Sequence, residues 1–159
     1  MKGTVVFDFD DTLVDTASFK RLLADVTRPE DAVERMAQFV FPSAARVLGR
    51  LKEDGWKLAL LTFGDRAWQE GKVGRSGLLP FFDHVLYTSE PKETCIPEIV
   101  AWMGPLVFVN DHGGELDALK ARLPSAVMIA VRGVKPEPSG QDTPICQDLD
   151  EVYSIIARM

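Results

Sequence analysis

Val5-Val6-Phe7-Asp8-Phe9-Asp10-Asp11-Thr12-Leu13-Val14-Asp15 opens the chain with a short apolar run that ends in a knot of carboxylates. An apolar run of this length reads as a buried strand, over Thr4–Phe7. Strand ends usually carry Gly, Asn, Pro or one polar residue. Three acids packed against such an end are costly to ionise together unless a cation or a hydrogen-bond network compensates. The knot therefore points to a metal-assisted site at the place where a strand stops.

Working outward, further apolar runs predict strands at 58–61, 84–87, 106–109 and Val127–Val131. Helical patterns separate them. Residues 43–52 carry apolar side chains at three- and four-residue spacing, with Ser43 as the expected cap and Gly55 as the stop. Helices are also predicted over 66–75, 94–102 (Pro97 in the first turn, where proline is tolerated), 115–122 and 149–158. Alternation of strand and helix predicts an α/β fold, a three-layer Rossmann-like parallel sheet covered on both faces. Residues 16–41 break this rhythm. They hold two helical patterns interrupted at Arg28-Pro29 and read as a small helical insertion after the first strand. Residues 133–148, rich in Pro, Gly, Ser and Asp, read as an exposed connection.

The length of 159 residues fits one domain spanning 1–159, with a core that needs no staples. Hydrophobic content of 46% with 26% charged residues is that of a soluble globular protein. A net charge of −6 argues against non-specific binding to nucleic acid or anionic membrane. An anionic substrate stays compatible, because a lysine and a metal reverse the sign inside one pocket. Cys95 and Cys146 follow no metal-like spacing and suggest a reducing compartment. The N-terminus shows no signal-peptide pattern, and no apolar run approaches the ~18–20 residues that span a bilayer. A cytoplasmic protein is expected.

In open α/β sheets, ligands bind beyond the carboxyl ends of the strands. After the first strand come Asp8, Asp10 and Asp11; after the second, Thr62 and then Phe63-Gly64-Asp65. After the third comes Ser89-Glu90-Pro91-Lys92; after the fourth, Asn110-Asp111 and then His112-Gly113-Gly114-Glu115. All of these fall at one edge of the sheet. The inventory suits phosphoryl transfer. A carboxylate can attack phosphorus, and a second acid can protonate the leaving oxygen. Mg²⁺ offsets repulsion between carboxylates and phosphate, while a hydroxyl and an ammonium hold phosphoryl oxygens.

With Asp8-Phe9-Asp10-Asp11-Thr12, a strand ending at Thr62, Lys92, and Asp111 with Glu115, the chain resembles the haloacid dehalogenase (HAD) superfamily of phosphohydrolases over nearly its whole length. The resemblance implies five core strands in the order 5-4-1-2-3, with 16–41 as a small cap over the site. It implies Asp8 as nucleophile and Mg²⁺ ligand, and Asp10 as general acid/base with its backbone carbonyl on the metal. Asp111 would be a further metal ligand. Thr62 and the Phe63 backbone N–H would bind phosphate, and Lys92 would tie Asp8 to it. Dehalogenase members lack an acid at the position of Asp10, so its presence favours phosphate chemistry. Two departures stand out. Asn110 occupies a place often held by glycine, and Glu115 replaces a more usual Asp, reaching the metal through water or capping the following helix.

The expected activity is a Mg²⁺-dependent phosphomonoesterase whose phosphorylated substrate the sequence does not name. The other readings are a phosphomutase or phosphotransferase using the same aspartyl-phosphate, a phospho-aspartate receiver domain, and an inactive scaffold. A cap of this size holds two short helices at ~1.5 Å per residue and implies an open site, or one closed by a partner subunit. Monomer and homodimer both stay open; neither a nucleic-acid nor a membrane partner is expected. Simpler roles suit the remaining residues: Asp15 and Asp65 as helix caps, His84 as structural, Cys95 as a packed thiol, Trp56, Trp68 and Trp102 as packing residues. His112, beside Asp111, reads equally as a surface residue or a substrate contact.

Overall fold

The computed structural model describes residues 2–102, 104–132, 137–140 and 142–159. Strands β1 (Thr4–Phe7), β2 (Lys57–Phe63), β3 (His84–Thr88), β4 (Leu106–Asn110), β5 (Val127–Val131) and β6 (Ile145–Cys146) form one sheet in the order β3-β2-β1-β4-β5-β6. Every pairing is parallel. The expected strands thus stand in the expected order. The addition is β6, which lies within 133–148 and extends the edge beyond β5. Ala130 N–H donates to Pro144 O, and Arg132 N–H to Cys146 O. A two-residue strand just after a proline carries no periodicity to read. Residues 133–136 and 141 of that predicted connection lie outside the described residues.

The helices are α1 (Thr16–Asp25), α2 (Pro29–Val33), α3 (Ala44–Glu53), α4 (Arg66–Ser76), α5 (Ile96–Ile99), α6 (Gly113–Arg122) and α7 (Leu149–Ile156). Ser43 precedes α3 but makes no capping hydrogen bond, because its own backbone is helical (φ −84°, ψ −11°), whereas a capping residue needs an extended one. Gly55 follows α3 at φ 89°, the left-handed conformation that ends helices. The helix expected over 94–102 shrinks to a 3₁₀ turn at Lys92–Cys95 followed by the single turn of α5.

Burial explains the layers. Alternate residues of each central strand enter opposite cores, as a sheet covered on both faces requires. Val5, Phe7, Leu58, Leu60, Val107 and Val109 join a cluster with Leu48 and Leu51 of α3, Val73 of α4 and Val152 of α7. Val6, Ala59, Leu61 and Phe108 join the opposite cluster with Ile99 of α5 and Leu116 and Leu119 of α6.

The insertion leaves and rejoins the core at one point. Val14 pairs antiparallel with Val40, Asp15 N–H donates to Phe39 O, and Phe41 N–H to Leu13 O. Between these lie α1, α2 and a 3₁₀ turn at Met36–Phe39. Asp15 caps α1 as expected, its carboxylate accepting from Ser18 N–H. Phe19, Ala32 and Met36 are buried within the same cluster as the sheet. Among the described residues, no helix is long and apolar enough to cross a membrane.

Candidate active site

The carboxyl ends of the parallel strands bring Asp8, Asp10, Thr62, Phe63, Lys92, Asp111 and Glu115 to one edge of the sheet. β1 lies between β2 and β4, so the loop that follows it meets groups from both sides.

Asp8 is at the centre and largely buried. Its Oδ1 accepts from Lys92 Nζ at 2.6 Å, and its Oδ2 lies 3.1 Å from the Thr12 hydroxyl. That hydroxyl also lies 3.4 Å from Asp111 Oδ1 and accepts from Asp111 N–H at 3.2 Å. The Asp8 and Asp111 side chains thus converge on the Thr12 hydroxyl. Burial pushes the Asp8 carboxyl up, with repulsion from Glu115 and Asp10 opposing the pull of Lys92. Burial and the neighbouring Asp8 push Asp111 up to about 7.

Lys92 begins the 3₁₀ turn after β3, and its side chain is 3% exposed. It donates to Asp8 and, at 2.6 Å, to Glu115 Oε2. Burial works against its charge, but the two carboxylates outweigh it and raise it above the ordinary lysine range. Glu115 also accepts from Asn110 Nδ2. Burial would raise its carboxyl, but Lys92 and Asn110 hold it below the usual carboxylate range. Its carboxylate is thus spent on Lys92 and Asn110. The cap of α6 is His112, whose Nδ1 accepts from Glu115 N–H.

Asp10 turns to the other side. Its Oδ1 accepts from Thr16 Oγ1 at 3.1 Å and from Lys72 Nζ at 2.5 Å, and its Oδ2 from Gln69 Nε2 at 3.0 Å. Gln69 Nε2 also lies 2.7 Å from Thr62 Oγ1 and 3.0 Å from Phe63 O, tying the loops after β1 and β2 together. The intervening Gly64 sits at φ 142°, and a Cβ there would press on the Gln69 side chain at 3.2 Å. Asp11 adopts φ 58°, which Asp tolerates, and exchanges hydrogen bonds with Thr16. It shapes the loop.

Thr12 closes the opening motif, whereas Lys72, Gln69, Thr16 and Arg132 carry no signal of the site in the sequence. Lys72 and Gln69 sit three apart on α4, so they share a helix face, but the sequence alone does not say that this face meets Asp10. Asp65 caps that helix, accepting from Trp68 N–H. Arg132 follows β5 and donates to Thr12 O at 2.7 Å while its guanidinium lies 3.4 Å from the Phe41 ring centre. Of the simpler assignments, His84 stacks on Trp102 with ring centres 4.9 Å apart, and Cys95 and Cys146 are buried free thiols.

Among the described residues no three His, Cys, Asp or Glu side chains are gathered as a metal cage. A smaller donor set does fit Mg²⁺. That ion keeps several waters and takes only one or two carboxylates. Asp8 and Asp111 supply two converging, mutually repelling ones, while the Asp10 side chain faces Lys72 instead.

The family model of haloacid dehalogenase-like hydrolases matches residues 20–100, just over half of the chain. A comparison with curated protein sequences returns no match. Solved structures match over nearly the full length at low identity. The magnesium-bound protein YfnB of Bacillus subtilis is 14% identical with a TM-score of 0.70, over 98% of each chain. A protein of Clostridium acetobutylicum described as a predicted phosphatase is 16% identical with a TM-score of 0.73, over all of both chains. The L-2-haloacid dehalogenase of Xanthobacter autotrophicus, with chloropropionic acid covalently bound, is 15% identical with a TM-score of 0.69, over all of both chains. At these identities the likeness is one of fold.

Proposed function

Because the chain belongs to the haloacid dehalogenase-like hydrolases, we propose that it hydrolyses phosphate monoesters through an aspartyl-phosphate on Asp8, with Mg²⁺ as cofactor. The observation that carries this reading is Asp10. A halide leaves as a stable anion and needs no proton, whereas an alkoxide displaced from phosphorus does. Asp10 sits two residues after the candidate nucleophile, and Lys72, Gln69 and Thr16 fix its position.

Asp8 attacks phosphorus through a carboxylate oxygen, and the P–O bond to the alcohol breaks. The leaving oxygen takes a proton from Asp10. The resulting Asp10 carboxylate then removes a proton from water, which attacks the phospho-aspartate and releases phosphate. Lys92 supports the ionised Asp8 and meets charge developing on the phosphoryl oxygens. Thr62 contributes a hydroxyl and Phe63 a backbone N–H to the phosphoryl group. Asp8, Asp111 and the Asp10 backbone carbonyl would hold Mg²⁺, which lowers the repulsion between Asp8 and an incoming phosphate. Phosphate release from an aryl phosphate with Mg²⁺ is expected, and Asp8→Asn is expected to abolish it while the circular dichroism spectrum stays native. Retained turnover in that variant, or halide release from a 2-haloacid in place of phosphatase activity, overturns the reading.

A further inference from the structure

We infer that the pocket beside Asp10 takes the alcohol portion of the substrate as an apolar, single-ring or similarly sized group, so that aryl and aralkyl phosphates are preferred over sugar phosphates; this rests on the phosphomonoesterase reading. The pocket is a cavity of about 380 Å³ between α1 and the start of α4. A cavity of ~150 Å³ already holds benzene, so this volume takes one ring with a substituent and leaves room for water. Phe19 and Leu23 of α1 and Phe63 and Trp68 of the core side supply its apolar walls. The Phe19 and Trp68 rings tilt against one another with centres 6.2 Å apart. Phe63 ends β2 and is 51% exposed, a large apolar residue left open where the candidate phosphate loop meets the pocket.

The polar groups on the floor argue in the same direction. Thr16, Gln69 and Lys72 all face Asp10 and are engaged there. Gln69 is further shared with Thr62 and Phe63 O. Thr16 also serves the Asp11 N–H. Lys20 and Asp11, both exposed, also line the cavity; beside Asp10 itself a polyhydroxylated alcohol would give up its water hydrogen bonds for partners already taken, which is costly. An apolar ring has no such loss and covers the walls.

The test compares kcat/KM for phenyl and benzyl phosphate with that for glucose 6-phosphate and ribose 5-phosphate, in the wild type, Phe63→Ala and Leu23→Ala. The wild type is expected to favour the aryl and aralkyl esters at least tenfold. Loss of the apolar contact of the Phe63 ring predicts that Phe63→Ala cuts that preference roughly tenfold. Leu23→Ala, on the opposite wall, is expected to cut it severalfold and covers the case in which the first variant does not fold. Calorimetric titration of benzylphosphonate against a sugar phosphonate, with Mg²⁺, separates the two claims. Turnover with no preference between the esters, or equal binding of the phosphonates, overturns the pocket assignment. Selective phosphonate binding without any turnover supports the pocket and overturns the phosphatase reading.

Discussion

Replacing Lys72 by Met isolates the contact that the sequence did not reveal. The Lys72 side chain is 5% exposed and that of Asp10 31%, with Nζ and Oδ1 2.5 Å apart. Breaking a fully buried ion pair costs about 3–5 kcal/mol because a charge is stranded, whereas an exposed pair is worth about 0–1 kcal/mol. Asp10 is part-solvated and keeps Thr16 and Gln69 as donors, so an intermediate loss of about 2 kcal/mol is expected for Lys72→Met. Asp10→Asn removes the stranded charge, so the double variant should lie about 1–1.5 kcal/mol above the sum of the single losses. For a domain of this size, 2 kcal/mol corresponds to a drop of about 4–8 °C in Tm. Urea unfolding of the four proteins closes the cycle. Additive losses, with coupling under about 0.3 kcal/mol, refute the reasoning, because they mean that Lys72 does not act on Asp10.

The other predictions concern pH and capping. Asp111 rises from 3.8 to about 7, so its ionised form is disfavoured in the fold. The penalty is absent below the ordinary carboxylate value, grows as pH rises towards 7 and is complete above it. About three units correspond to ~4 kcal/mol, and partial solvation reduces this to about 1–2 kcal/mol. In EDTA, Asp111→Asn should therefore melt about 2–8 °C above the wild type at pH 8, with the gap narrowing towards pH 5 in scanning calorimetry; a pH-independent gap contradicts the cause. The variant should also lose the stabilisation that Mg²⁺ confers on the wild type. Asp15→Ala removes the α1 cap at Ser18 N–H and should cost about 1 kcal/mol; a chemical-denaturation midpoint equal to the wild type's refutes it.

Most of the sheet was legible because buried parallel strands write themselves as apolar runs. β1 and β5 match their predicted bounds; β2 gains Lys57 at its start and Thr62 and Phe63 at its carboxyl end, and β4 gains Asn110. The weak places have local causes. α5 is a single turn stabilised by packing of Ile99 rather than by periodicity. α6 starts at Gly113, before the predicted Glu115, because a histidine rather than a Ser, Thr, Asp or Asn caps it.

The candidate site divides in the same way. Asp8, Asp10, Thr62, Lys92 and Asp111 follow strand ends, so strand order alone predicts that they meet. Glu115 reaches Asp8 only through Lys92 and is also held by Asn110, while His112 rather than Glu115 caps α6. That arrangement depends on the 3₁₀ turn that carries Lys92 into the sheet edge, which leaves no pattern in sequence.

The opening run by itself determined a buried strand ending in carboxylates, and hence the edge of the sheet at which the chemistry lies. It did so because burial and charge are properties of residues close together in the chain. Only the tertiary structure decided which cation answers which acid: Lys92 for Asp8, Lys72 for Asp10. Those pairs span 84 and 62 residues. Their choice is set by how α4 and the turn after β3 dock on the sheet, a balance of packing and desolvation that no local stretch of sequence contains.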